Sequence, residues 1–181
     1  DLPPQQSFLL NLPETEKKCL EDCLGMSTER LQELHGQSED QENKLFILSI
    51  HALRILRLYP ALKEYGHIID QYFATCVKQS HSKTLLLALL KTEGISTPVL
   101  LTILEHPLAD EELVTRILKK RVDHAEELLT ALVPKCHTQE HIDLMMQQKL
   151  CHEGLFLELL KHPLLSKKHL IQMLSRTNKE T

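Results

Sequence analysis

Written in rows that set Leu128 beneath Leu100, the chain repeats itself: Leu100, Leu101 and Leu104 recur as Leu128, Leu129 and Leu132, and again as Phe156, Leu157 and Leu160, with no insertion. In the second half of each row Val114, Ile117 and Leu118 become Ile142, Met145 and Met146, then Leu170, Met173 and Leu174. A polar helix-capping residue, Asp110, Thr138 or Ser166, precedes each of these sets. A fixed period in the range of ~20 to 50 residues marks an array of small units, none of which can bury its apolar face without stacking on a neighbour. The period therefore fixes an architecture, and the class of work that suits it is binding.

The match survives at double the period. Pro98 to Leu108 reads against Gly154 to Leu164 with His106-Pro107 falling on His162-Pro163, while the row between keeps its apolar positions and moves its proline to Pro134. Going backwards, Ser82 takes the cap position, Leu86, Leu89 and Leu90 the second-helix core, and Phe73 and Cys76 the first-helix core. The clear repeats are 68–95, 96–123, 124–151 and 152–179, and a further row from Asp40 to His67 fits through Leu45, Leu48, Leu58 and Leu62. Ahead of them, residues 1–39 read as an extended lead-in, where Pro3 and Pro4 disfavour helix, followed by a small helical cap. Glu14 to Leu24 and Ser27 to His35 are its two expected helices, the second capped by Ser27 or Thr28, and polar Gly36 to Glu42 is the expected main loop. The repeats then occupy residues 40–181.

Local rules build one repeat. Its first helix opens with Ser96 or Thr97 as cap and Pro98 in the first turn, where a missing N–H costs nothing, and His106-Pro107 ends it. Its second follows Asp110, with Glu111 and Glu112 in the first turn and Lys119, Lys120 and Arg121 in the last, as the helix dipole favours. The last row reverses this by placing Lys167 and Lys168 in a first turn, which makes a basic C-terminal end. Helices this short are marginal alone, since isolated ones below ~12 to 15 residues are barely stable in water. Stacking must hold them. The expected fold is all-α: a right-handed α-solenoid of about four to five 28-residue helix-turn-helix repeats with a helical N-terminal cap.

Over residues 68 to 179 the pattern resembles the short helical-repeat solenoids of the HEAT and armadillo kind. That resemblance implies curved stacks whose one set of helices lines a continuous surface on which a partner lies. The unit here is shorter and carries none of those families' signature motifs, so no functional residue transfers.

Composition agrees with a helical chain. Aromatics make up 4%, tryptophan is absent, glycine numbers 5, and no segment alternates apolar and polar residues as a strand would. No apolar run approaches the ~18 residues that span a bilayer, and no leader pattern is present, while the start at Asp1 without methionine suggests a trimmed chain. Five cysteines, an odd number with no Cys-x-x-Cys pair, point away from a disulfide framework and towards a reducing, intracellular setting. Cys76 reads as a small buried hydrophobe, and Cys19 and Cys23 as the apolar side of a helix. Charge is uneven: residues 1–42 hold 10 acidic and 3 basic side chains, whereas residues 43–181 hold 15 acidic and 18 basic. Full protonation of the 11 histidines would move the formal charge from −4 to +7, which opens a pH-gated reading beside simple titration.

Rival functions rest on other residues. Cys136-His137, His141 and Cys151-His152 carry zinc-ligand chemistry, but zinc needs about four converging ligands. The repeat instead spaces His141 and His169, and likewise His124 and His152, one row apart, with His106 and His162 two rows apart, as ladders of solvated surface groups. Nucleic acid is disfavoured by net acidity and by basic residues without interleaved aromatics, although Lys119-Lys120-Arg121 with Lys161, Lys167, Lys168 and Arg176 offers one basic ridge. Phosphate-loop, nucleophile-elbow and His-Glu-x-x-His motifs are missing, which leaves Cys136 or Cys151 beside its following histidine as the enzyme alternative. Met145, Met146 and Met173 fall on core positions.

The sequence thus points to a non-catalytic protein–protein interaction module or adaptor, needing no metal or cofactor, that holds a partner peptide or helix along a groove. Glu105, Arg116, Lys120, Gln148 and Lys161 are the candidate partner-binding residues, as polar positions on the helices. The Leu-, Gln-, His- and Lys-rich composition without tryptophan also suits a bacterial effector delivered into a host cell.

Overall fold

Helices begin in this protein where the sequence supplies a short polar acceptor. The computed structural model describes residues 11–120, 126–148 and 153–177. Among them Ser27, Ser38, Ser82, Asp110, Thr138 and Ser166 each accept a hydrogen bond from the backbone N–H three residues on, at 3.1–3.4 Å. The last four hold the same place in four successive rows, so the period is written into the caps. Ser96 adopts the extended backbone of a cap without a side-chain capping bond, and Pro98 fixes the first turn after it.

The α-helices that result are α1 (Glu14–Leu24), α2 (Thr28–His35), α3 (Glu39–Leu58), α4 (Gly66–Gln79), α5 (Lys83–Lys91), α6 (Thr97–Glu105), α7 (Glu111–Lys119), α8 (Glu126–Leu132), α9 (Gln139–Met146), α10 (Glu153–Leu160) and α11 (Lys167–Thr177). Short 3-10 turns cover Pro60–Tyr65 and Val133–Lys135, and no strand occurs among the described residues. The protein is all-α. None of the described helices is long and apolar enough to cross a membrane.

Two expectations fail near the N-terminus. The loop expected at Gly36 to Glu42 is only its first three residues, because Ser38 caps α3 and Glu39, Asp40 and Glu42 form its acidic first turn. Polar composition suits a loop and the positive end of a helix dipole alike. The row expected from Asp40 to His67 is not a helix pair either: α3 runs unbroken for 20 residues, and Leu58, expected in the core, is exposed.

The chain forms two compact units, residues 1–108 and 109–181, with the division falling inside the row 96–123. In the first, α1 and α2 pack on α3 and α4, α4 packs on α6, and α3 on α5. Its core is built on Leu20, Leu31, Phe46, Leu62, Ile69 and Phe73, and the expected positions Cys76, Leu86, Leu89 and Leu90 are buried with them. Tyr59 donates its hydroxyl to Glu16 at 3.0 Å, tying the end of α3 to α1. Arg57 at that same end meets Glu93 at 3.0 Å. Gly94, at φ 82°, lets the chain turn there, and a Cβ in its place would meet Arg57 Cδ at 2.7 Å.

In the second unit like helices stack: α7 on α9, α9 on α11, and α8 on α10. Leu113, Ile117, Leu128, Leu132, Ile142 and Met145 are buried between them. The last row departs from expectation. Leu157, Leu160, Leu170 and Leu174 are exposed and Phe156 is half-buried, while Leu155 and Leu159 fill the core with Met173. Leu155 and Leu159 stand two rows after Val99 and Ile103, which are buried too. The intervening row has Glu127 and Ala131 at those two positions, exposed and half-buried, so the second apolar stripe belongs to the rows 96–123 and 152–179 alone.

Candidate interaction face of α7, α9 and α11

Polar side chains bind consecutive rows of the second unit to one another, and the bonds recur with the sequence period. His141 Nε2 lies 2.9 Å from Thr115 Oγ1 and 3.1 Å from the Glu111 carbonyl; one row on, His169 Nε2 lies 2.7 Å from Asp143 Oδ1. Gln148 donates to the Leu118 carbonyl at 3.0 Å, and Arg176, at the same register one row later, donates to the Met146 carbonyl and, at 3.0 Å, to that of Gln148. His162 Nε2 reaches the Cys136 carbonyl at 2.9 Å; within the first unit His106 Nε2 reaches that of Ser80 at 3.0 Å.

In all four histidines the other ring nitrogen is also occupied. Nδ1 accepts a backbone N–H from Leu108 in His106, His137 in His141, Leu164 in His162 and Ser166 in His169, at 3.0–3.1 Å. With Nδ1 an acceptor, the ring proton sits on Nε2, which donates to the neighbouring row. These are not the solvated surface groups expected from sequence: His141 and His169 are buried, and His106 and His162 half-buried. Their spacing by rows is as expected, and what sequence spacing alone does not convey is the carbonyl or side chain waiting in the preceding row.

Ladder residues help to line two surface clefts. One, of about 410 Å³ between α7 and α9, is lined by Glu112, Thr115, Arg116, Lys119 and Glu140 among others, with Lys119 and Glu140 paired at 3.1 Å. The second, of about 540 Å³ between α9 and α11, is lined by Asp143, Gln147, Lys168, Ile171, Gln172 and Arg176 among others. Thr115 corresponds to Asp143, Lys119 to Gln147 and Glu140 to Lys168, so the same place is used twice with a different charge pattern. Both clefts carry both signs; the second sets Asp143 against Lys168 and Arg176 and adds two glutamines and the apolar Met146 and Ile171. Such walls offer hydrogen bonds and ion pairs to an extended or helical chain laid across them.

The residues expected to bind a partner do not converge on one point. Arg116 lines the first cleft. Lys120 follows α7 as its C-cap, and Glu105 is exposed at the end of α6. The Gln148 amide is engaged by the Leu118 and Leu144 carbonyls, and Lys161 pairs with Glu158 at 3.6 Å after α10. Thr115, Glu140, Gln172 and the second cleft as a whole escape sequence reasoning, because nothing in one sequence distinguishes a cleft-lining polar position from any other on the same helix.

The rival chemistries find these placements. Cys136 is buried, its Sγ donates to the Leu132 carbonyl at 3.2 Å, and burial pushes its thiol up to about 11, away from the thiolate that a nucleophile needs. Cys23 is likewise pushed up to about 12, first by burial and then by Cys19 and Asp22. Among the described residues no group of three or more His, Cys, Asp or Glu is placed to hold a metal ion. Arg121, His124, Cys151 and His152 lie outside the described residues. Comparison with protein-family models, curated proteins and solved structures gave no match.

Proposed function

We propose that this protein is a non-catalytic protein–protein interaction module, an α-solenoid of 28-residue two-helix repeats that holds a peptide or helix of its partner across α7, α9 and α11. The observation that carries the reading is the recurrence of a cleft of mixed polar and apolar lining at the sequence period, between α7 and α9 and again between α9 and α11. A linear ligand meets a surface with a translational repeat by repeating its own contacts, each modest alone. The fixed histidine, glutamine and arginine bonds in and beside the clefts support it further, since they rigidify the wall and reduce what binding must order. An intracellular setting, whether as resident adaptor or as delivered effector, suits the free cysteines among the described residues.

The test is affinity capture from lysate on the immobilised chain, with mass spectrometry, at low and high salt and with and without a chelator, against an Arg116→Glu/Lys119→Glu variant. A recurrent protein partner that survives the chelator and is lost by the variant supports the reading. Recovery of nucleic acid that high salt removes replaces it with the basic-ridge reading. Capture abolished by the chelator replaces it with a metal-dependent one.

A further inference from the structure

Few side chains hold α2 in its seat. It spans 8 residues and buries Leu31, Leu34 and His35, whereas α3 buries side chains from Glu42 through Leu56. A helix of that length is marginal without neighbours, so its docking on α3 and α4 keeps it folded. Short connectors, Gly25 to Ser27 and Gly36 to Ser38, join it to α1 and α3. It can leave its seat without unwinding either of them.

One of the three buried side chains is titratable and has nothing to bond. His35 is 5% exposed at the C-terminal end of α2, edge-on to the Phe46 ring at 6.0 Å, and both its ring nitrogens lack a hydrogen-bond partner. In His106, His141, His162 and His169, by contrast, both nitrogens are bonded. From the first turn of α3 Glu42, 6% exposed, acts on the His35 ring without bonding it, and its own Oε1 is also unpartnered. From the turn between α4 and α5 the exposed His81 acts with the opposite sign. On α2 itself Glu33 is taken by Arg30 at 3.0 Å. A neutral ring fits such a seat; a charged one, drawn out of water with no acceptor at either nitrogen, does not.

We propose that α2 is an acid-released flap: protonation of His35 frees the helix from α3 and α4, uncovers Phe46, and leaves the rest of the first unit folded. With α2 open the ring meets water and takes its proton near the ordinary value of ~6.5. Seated, it takes one only at lower pH, because burial outweighs the help of Glu42. Between those two values each unit of acidification raises the open population by up to about tenfold. The open form is local, as partial openings of short, lightly packed elements are.

Hydrogen exchange read by mass spectrometry on the whole chain, at about pH 7.5 and about pH 5.5 with intrinsic rates divided out, tests it. On acidification the α2 amides lose protection by up to about tenfold while those of α4 and α6 keep theirs. His35→Phe, which retains the ring against Phe46, removes the loss. A second readout needs no variant: in the native chain the His35 ring, followed by NMR, titrates below ~6.5 and in step with the α2 amides. Unchanged α2 protection, an equal loss in every helix, a loss that persists in His35→Phe, or a ring that titrates at or above the ordinary value overturns the proposal. So does α2 protection that rises in acid, which would mean that charged His35 pairs with Glu42 and locks the helix down.

Discussion

Residues 11–65 and the second unit, residues 109–177, are both helical, but different devices hold them. In the first stretch helices of 11, 8 and 20 residues pack on apolar contacts that occur once each, joined by single polar ties such as Tyr59 to Glu16. In the second, caps, apolar stripes and polar ladders all recur row by row. Irregular packing places each contact's cost at its own position. Periodic packing shares it, because each helix supports the rows on both sides.

The largest effect that would break this contrast comes from Leu132→Asp. Leu132 is fully buried in α8, which packs on α10, and an uncompensated buried charge costs ~3–5 kcal/mol even before the packing loss. That approaches the whole stability of a small domain, typically ~5–15 kcal/mol. Hydrogen exchange should show protection lost from α7 through α11 together. Leu160→Asp, at the same register one row later and half exposed, should change stability by no more than ~0.5 kcal/mol. Equal losses at the two positions would end the claim that row neighbours decide burial.

Next in size is Leu62→Ala, in the 3-10 turn after α3, where the side chain is fully buried. Large-to-small changes of this kind cost ~2–5 kcal/mol. Denaturant unfolding should register that loss, with the exchange change concentrated around α3 and α4, where Leu62 sits, rather than spread along successive helices. Spreading as wide as that of Leu132→Asp would remove the distinction between irregular and periodic packing.

A smaller and more specific effect belongs to the ladders. His162→Phe keeps a ring but leaves the Cys136 carbonyl and the Leu164 N–H without their partners, a loss of ~1–3 kcal/mol. His106→Phe removes the equivalent pair in the first unit, Ser80 carbonyl and Leu108 N–H, and should cost about the same, ~1–3 kcal/mol. Paired urea titrations measure both. A negligible cost at either position would show that ladder bond to be replaceable by water.

What the sequence made legible follows from how local each determinant is. The caps at Ser82, Asp110, Thr138 and Ser166 were readable because a side chain and a backbone N–H three residues on are all they need. The exposure of Leu157 and Leu160 was not, because burial is decided by what packs on the helix, and their residue types match those of buried Leu129 and Leu132. The start of α3 was hidden by chemistry common to loops and first turns. Of the candidate site, Arg116 lay where a cleft opens, whereas the Gln148 amide is tied to carbonyls, which no spacing rule reveals without the partner row in view.

The smallest effect separates the two regions by pH. His35, at the end of α2, is buried against the Phe46 ring at 6.0 Å, and neither of its ring nitrogens has a hydrogen-bond partner. Burial holds its pKa below the ordinary histidine value, with Glu42 opposing that shift and His81 adding to it. The neutral ring is therefore the folded form. As pH falls through the unfolded-state value of ~6.5 the unfolded chain takes up a proton that the folded chain resists, so the stability His35 contributes is complete above that pH and is lost towards the lowered folded value. Urea midpoints at neutral and mildly acidic pH should fall on acidification in the native chain and fall less in His35→Phe, which keeps the edge contact with Phe46 and removes the titration. The same drop in both proteins would move the acid-sensitive element out of α2.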